Sequence, residues 1–320
     1  MFTPVLRSLK EKFPTCHITV VCRDNHRDVL TGLPYIDKVA CIYRGKPFGR
    51  YRSIPALLNQ DVIIFTDWHV ILMLFARLFR TPRIIGFGKE GHFLTKCLKT
   101  VLKGPIHLSP NYVACTNAKF ISDVLDIKLE GDMTKPDISA PTIQDVQSVD
   151  KMLADIGLKT DAPYILMTPF TGSEQRNLPL NTAIEVVQSI EKKYNLPVVI
   201  SAPSEKNDLA KKISKFVVPG STSIRELVEL VDRSKMLISP DSGPIHVAAA
   251  VGKNCVAIFS KELPSRWAPK KNCIPLYLNL SCSPCDDETA RNCSHLKCIR
   301  GITADMIVEA CDKFINNLKE

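Results

Sequence analysis

No stretch of this 320-residue chain reaches the roughly 20 consecutive apolar residues that span a bilayer; the longest run, VILMLFA over 70–76, is closed off by Arg77, Arg80 and Arg83. A membrane-crossing helix is excluded on length. The opening MFTPVLRSLKEKFP lacks the ordered charged, apolar and small-residue regions of a secretory signal, so the chain reads as cytoplasmic. Acid is the scarcer charge, 33 Asp and Glu against 42 Lys and Arg. The resulting +9 calls for an anionic partner, whether phosphates, a membrane surface or nucleic acid. No RNA-binding signature, zinc-finger pattern or arginine-rich tail is present, which sets nucleic acid aside. With 45% hydrophobic and 23% charged residues, the composition is that of a soluble globular protein, long enough for two domains with separate cores. Of twelve cysteines, eight are scattered through apolar segments, as at Cys22, Cys97 and Cys255, and read as reduced core thiols.

Apolar runs and helical periodicities alternate along the chain. A helix is expected over 3–13 and a strand over 17–22, so the chain opens on a helix with no preceding strand to dock it. A helix over 25–30, a strand over 38–43 and a basic loop with Arg44, Lys46, Arg50 and Arg52 come next; the loop is either a solvated surface or an anion contact. The run DVIIFT over 61–66 is a buried-type strand, and 68–79 a helix apolar nearly all round, ended by Thr81-Pro82. A strand over 83–87 and helices over 93–102 and 112–125 complete the half. Between 127 and 142 the sequence turns polar, with Gly131, Pro136 and Pro141, placing the domain boundary there and giving domains 1–141 and 142–320. The second half repeats the rhythm: helix 143–156, strand 164–168, the loop PFTGSEQRNLP, helix 180–194, strand 197–201, and helices 206–216 and 223–231. Such alternation specifies two doubly wound parallel sheets, with ligands expected in a cleft between them.

The stretch MLISPDSGPIHVAAAVGKNCVAIF over 236–259 carries the most chemistry. It reads as a strand, a turn of Asp241, Ser242 and Gly243, a short helix with Pro244 at its start and Gly252 past its end, and a second strand. In a βαβ unit that turn lies at the carboxyl end of a parallel strand, where ligands bind, and a helix N-terminus favours anions. The plain alternative is that Asp241 and Ser242 only cap the helix and His246 is a surface imidazole.

Several separated segments resemble one family, the family 9 glycosyltransferases, whose best-known members are ADP-heptose:lipopolysaccharide heptosyltransferases. TPVLRSLKEKFPTCHITVVCR is similar to their first helix and second strand, and DVIIFTDWHVILMLFARLFRTPRIIGF to a strand, a helix and the following Arg-x-Ile-Gly-Phe strand. PFTGSEQRNLP resembles the loop opening the donor domain, and SPDSGPIHVAAAVGKNCVAIFSKELPSRWAP its most diagnostic segment. The resemblance implies an α/β fold of the GT-B type, two Rossmann-like doubly wound domains facing across a cleft, the first holding the acceptor and the second the nucleotide sugar. It implies inverting transfer of a heptose from ADP-heptose to the anionic inner core of lipopolysaccharide, in contact with the cytoplasmic face of the inner membrane. Carried over by position, Asp241, Ser242, Gly243 and His246 grip the donor's diphosphate and sugar. Thr171 and Gly172 offer hydroxyl and N–H groups to phosphate, Arg176 stands where the family usually has lysine, and Glu205 holds the ribose. No cofactor is implied, since Arg176, the helix N-terminus and a protonated His246 would stabilise the departing diphosphate in place of a metal.

The family's general base is an aspartate in a Gly-Asp step after its first strand. Thr3-Pro4-Val5-Leu6 matches the family's residues just after that step, so both strand and aspartate are expected upstream of Met1, and the first sheet is expected to lack its central strand. Two readings are open: a transferase whose start lies further upstream, or a nucleotide-sugar-binding relative without catalysis. A transferase of another activated sugar is a third. Asp67, Lys89, Arg44 and Arg83 are candidates for acceptor contacts. Near the C-terminus, Cys282, Cys285, Cys293 and Cys298, with His295 among them, have a spacing that suits a structural zinc or a disulfide pair.

Overall fold

The apolar runs become short parallel strands and the amphipathic stretches become the helices that cover them, in a computed structural model that describes residues 1–43, 45, 48–49, 51–66, 70–87, 101–103, 111–218 and 221–315. The strands are β1 (Thr19–Arg23), β2 (Lys38–Ile42), β3 (Val62–Phe65), β4 (Arg83–Phe87), β5 (Val101–Lys103), β6 (Ile165–Met167), β7 (Val198–Ile200), β8 (Leu237–Pro240), β9 (Cys255–Ile258) and β10 (Cys273–Leu276). The chain divides into a unit of Phe2–Met133 and a unit of Thr134–Glu320 that also takes in Met1. The division falls inside the polar stretch 127–142.

In the first unit β1 pairs in parallel with β2, Thr19 opposite Lys38, and β3, β4 and β5 form a separate parallel ladder. Among the described residues no ladder joins β1 to β3. The helix Thr3–Lys12 packs against the helix Val113–Leu125, burying Val5 with Ile85, Phe120 and Ile121. A second cluster gathers Leu57, Ile63, Phe65, Leu72 and Met73 under the helix Val70–Leu78. One expectation fails here: Val101 and Leu102, read as the end of the helix over 93–102, belong instead to β5, which lies beside Ile85–Phe87. A short apolar run has no periodicity that separates helix from strand, and the open ladder of β4 decided the matter. The rest of that expected helix lies outside the described residues.

The second unit is built on one five-stranded parallel sheet in the order β10-β9-β8-β6-β7. Ile165, Leu166, Met167, Val198, Val199 and Ile200 are fully buried, as strands covered on both faces must be. Side chains still alternate. Leu166, Val199 and Leu237 meet Val149, Leu153, Val228 and Val247 on one face. Ile165, Met167, Val198 and Ile238 meet Val186, Ile190 and Ile307 on the other. Each such fully buried side chain contributes about 2 kcal/mol. Two of the covering helices, Ile143–Asp155 and Ile224–Arg233, start with capping boxes, Thr142 with Asp145 and Ser223 with Glu226. From β6 the chain moves to β7 on one side and then to β8 on the other, so the loops that come after β6 and β8 diverge from a topological switch point.

Candidate active site at the carboxyl ends of β6 and β8

β8 ends in Pro240, and the next residue, Asp241, continues the ladder by donating its N–H to the Ile258 carbonyl at 2.8 Å. The helix Gly243–Val251 then begins, with Pro244 in its first turn, where a missing N–H costs nothing, and Gly252 past its end at φ +75°. Ser242 is the N-cap residue by position, but its side chain makes no capping hydrogen bond. Its hydroxyl donates instead to the Pro240 carbonyl at 3.0 Å and lies 3.3 Å from the Ser239 hydroxyl. The plain capping alternative therefore fails for Ser242. The first-turn N–H groups of this helix keep their partial positive charge unanswered by a side chain, the electrostatic condition for anion binding. Nothing lies within 4 Å of where a Cβ would stand on Gly243 or Gly172, so neither glycine is required by its own packing, and both leave room beside their loops.

The loop after β6 brings its cation to the same place. Arg176, in the short turn Glu174–Arg176, donates from Nη1 to the Asp241 carbonyl at 2.8 Å and sits 3.7 Å from the Asp241 carboxylate. Its Nε is buried without a hydrogen-bond partner. One nitrogen of the guanidinium is thus committed to the β8 turn, and Nε is dehydrated without a partner. Asp241 is 5% exposed. Burial pushes its carboxyl up to about 6, with Arg176 and Lys261 pulling back and Glu262 adding to the rise.

The loop itself is braced from within. Thr171 donates its N–H to Asn177 Oδ1 at 2.6 Å and its hydroxyl to the Ser173 carbonyl at 2.7 Å. Both groups hold the loop's shape. The reason is local: a polar turn of this length satisfies its own donors before any ligand arrives. Glu205 is exposed on the turn Ser204–Lys206 after β7. That turn is tied to the Arg176 loop through Lys206 Nζ and Glu174 Oε1 at 3.2 Å.

His246 stands one helical turn into the helix Gly243–Val251. It is half-buried, its Nδ1 is enclosed without a partner, and dehydration pushes the imidazole down to about 3. That dehydration favours the neutral ring over the cation. Its ring packs near the Trp267 indole, centroids 6.3 Å apart, and Trp267 in turn donates to Glu262 at 3.1 Å and carries the Arg266 guanidinium 5.2 Å from its ring centre. Lys261, Glu262 and Trp267 are site neighbours that sequence reasoning missed. The signal was available, for they come after β9 just as Asp241 comes after β8, at the same end of the sheet.

The expected acceptor contacts Asp67, Lys89 and Arg44 lie outside the described residues. Arg83 is placed, and it is engaged elsewhere: Nη2 donates to the Val124 carbonyl at 2.7 Å, answering an end carbonyl of the helix Val113–Leu125. Cys282, Cys285, Cys293 and Cys298 are all free thiols. The Cys293 sulfur lies 3.7 Å from the His295 ring nitrogens, and burial raises the Cys285 thiol, with Cys298 adding to the shift. Among the described residues no three His, Cys, Asp or Glu side chains converge to hold a metal, and no disulfide links these four.

Residues 51–295 match glycosyltransferase family 9 (heptosyltransferase). The lipopolysaccharide core heptosyltransferase OpsX of Haemophilus influenzae is 24% identical over 131 residues, 38% of this chain and 38% of that one. Lipopolysaccharide heptosyltransferase 3 of Escherichia coli is 23% identical over 98% of this chain and 93% of its own length. The structure of Escherichia coli ADP-heptose lipopolysaccharide heptosyltransferase II superposes with a TM-score of 0.74 at 15% identity, covering 99% of this chain and 95% of that one. That likeness shows the fold, GT-B, and the match over residues 51–295 shows that the chain belongs to glycosyltransferase family 9.

Proposed function

We propose that the protein transfers a heptose from ADP-heptose to the anionic inner core of lipopolysaccharide, with inversion at the anomeric carbon, working in peripheral contact with the cytoplasmic face of the inner membrane. The observation that supports a diphosphate donor is the partly committed guanidinium of Arg176 beside the uncapped N-terminus of the helix Gly243–Val251. In the transfer an acceptor hydroxyl attacks the anomeric carbon and gives up its proton to water, the bond from that carbon to the diphosphate oxygen breaks, and ADP leaves with the electron pair. Negative charge grows on the leaving oxygen, so preorganised positive potential there lowers the barrier. Arg176 and the first-turn N–H groups supply it in this reading. Because Arg176 is planar and forked where the family usually has lysine, it can hold the Asp241 carbonyl with one edge and a phosphate oxygen with another. Asp241 fixes the guanidinium and is placed to accept from a sugar hydroxyl. In this reading His246 borders the donor pocket through its packing against Trp267.

Calorimetric titration with ADP tests the reading. Wild type binds, and Arg176→Ala weakens binding by about 10–100-fold, the usual worth of hydrogen bonds to a charged group. Binding that Arg176→Ala leaves unchanged would remove the diphosphate from this place.

A further inference from the structure

We propose that the first unit docks on an anionic phospholipid bilayer through the aromatic turn at Phe48 and Tyr51 and the outer face of the helix Val70–Leu78. The inference deepens the peripheral contact proposed above by naming its surface. Phe48 is 77% exposed and Leu78 70%, and Leu74 and Leu58 are exposed at 47% and 43%. The turn Tyr51–Leu57 and the helix Val70–Leu78 contact each other and share one small core of Leu57, Leu72 and Met73, and Leu74 and Leu78 follow one helical turn apart.

The display of Phe48 is built, not incidental. Tyr43 donates its N–H to the Gly49 carbonyl at 3.2 Å, Tyr51 donates to the Phe48 carbonyl at 2.9 Å, and Phe48 itself adopts φ +57°, a region bulky side chains avoid. A Cβ on Gly49 would lie 2.1 Å from the Tyr43 carbonyl oxygen, so only glycine lets the chain fold back this tightly. The Phe48 and Tyr51 rings lie 6.0 Å apart, and Arg52 holds its guanidinium 5.5 Å from the Tyr43 ring centre.

Charge chooses the occupant. The sequence between Asp37 and Asp61, and again between Asp67 and Glu90, contains no acidic residue, while Arg52, Arg77 and Arg80 are exposed on these elements. Aromatic and aliphatic side chains that enter the headgroup boundary, flanked by arginines that meet lipid phosphates, are what an anionic bilayer surface selects. A nucleic acid partner would use the arginines and the rings but gives Leu58, Leu74 and Leu78 nothing to enter.

The test is sedimentation of the full chain with vesicles of phosphatidylcholine alone and of phosphatidylcholine mixed with phosphatidylglycerol, at low and high salt. The protein is expected to bind only the mixed vesicles, less so at high salt. Phe48→Ser with Leu78→Ser lowers partitioning by about tenfold or more through lost apolar insertion. Arg52→Glu with Arg77→Glu lowers it by at least roughly fivefold for each charge removed. All four side chains are exposed, and circular dichroism melts confirm that the variants fold. Failure of the folded wild type to bind the mixed vesicles overturns the proposal. So does binding that the serine pair leaves intact, or that a single-stranded RNA oligomer competes away. ADP titration of the same variants separates this surface from the donor reading, because neither pair touches Arg176 or Asp241.

Discussion

Among the described residues the two units differ in how far their strands join into one sheet. In the second, five strands run in one ladder, and the three-residue centres of β6 and β7 are fully buried. In the first, the strands form two ladders of two and three, and β3 begins with Val62 at 38% exposure. Seven of the eight large apolar side chains that stand exposed among the described residues belong to the first unit: Phe13, Phe48, Tyr51, Leu58, Val62, Leu74 and Leu78. The comparison teaches where each unit keeps its chemistry. A continuous buried sheet holds loop ends to fixed positions, which electrostatic stabilisation of a leaving group requires. The exposed apolar side chains of the first unit are what the docking proposal draws on.

The largest effect expected from this contrast is on stability. Leu166→Ala, at the sheet centre of the second unit, costs about 3 kcal/mol, whereas Ile64→Ala in half-buried β3 costs about 1 kcal/mol. The chain has two tryptophans, Trp68 in the first unit and Trp267 in the second, so denaturant curves followed by fluorescence of Trp68→Phe and Trp267→Phe backgrounds assign each loss to its unit. Equal losses at both positions would erase the contrast.

Asp241→Asn sharpens it at the site. The folded carboxyl is raised from its ordinary 3.8 to about 6, so the folded state holds the proton more tightly than the unfolded one, and stability falls as pH rises between those values. Asn removes that loss. At neutral pH the unliganded variant is therefore more stable, by about 1–3 kcal/mol, while ADP affinity drops; thermal melts and calorimetry read the two together. A variant that is destabilised at neutral pH would mean that the pair with Arg176 outweighs burial.

His246 acts in the opposite sense. Its folded value, about 3, lies below the ordinary 6.5, so its contribution is complete above 6.5 and is lost as pH falls toward 3. His246→Gln flattens the acid limb of the stability profile, and Asp241→Asn steepens it. The smallest effect is that of Arg176→Lys, which keeps the charge but not the fork and weakens ADP by roughly threefold to tenfold where alanine loses more.

Much of the fold was legible because its signals are local. The apolar runs at β3, β8 and β9, the capping residues Thr142 and Ser223, and the proline and glycine bounding the helix Gly243–Val251 each act within a few residues. Where local pattern was ambiguous, at Val101–Lys103, a neighbouring strand settled it. Candidate residues could be named at strand ends wherever the strand itself was read. Those in the loop after β9, Lys261, Glu262 and Trp267, were passed over although they stand at the same edge.

Alone, then, the amino-acid order determined the alternation of strands and helices, the βαβ unit around Asp241 and the acid-free basic segments of the first unit, because periodicity, capping and charge are properties of neighbours along the chain. Only the tertiary structure decided that Arg176 joins Asp241 across 65 positions, that Arg83 is engaged at a helix end, and that dehydration favours the neutral ring of His246. Each of these depends on which groups from distant segments exclude water from a given atom, and dehydration has no trace in a linear sequence.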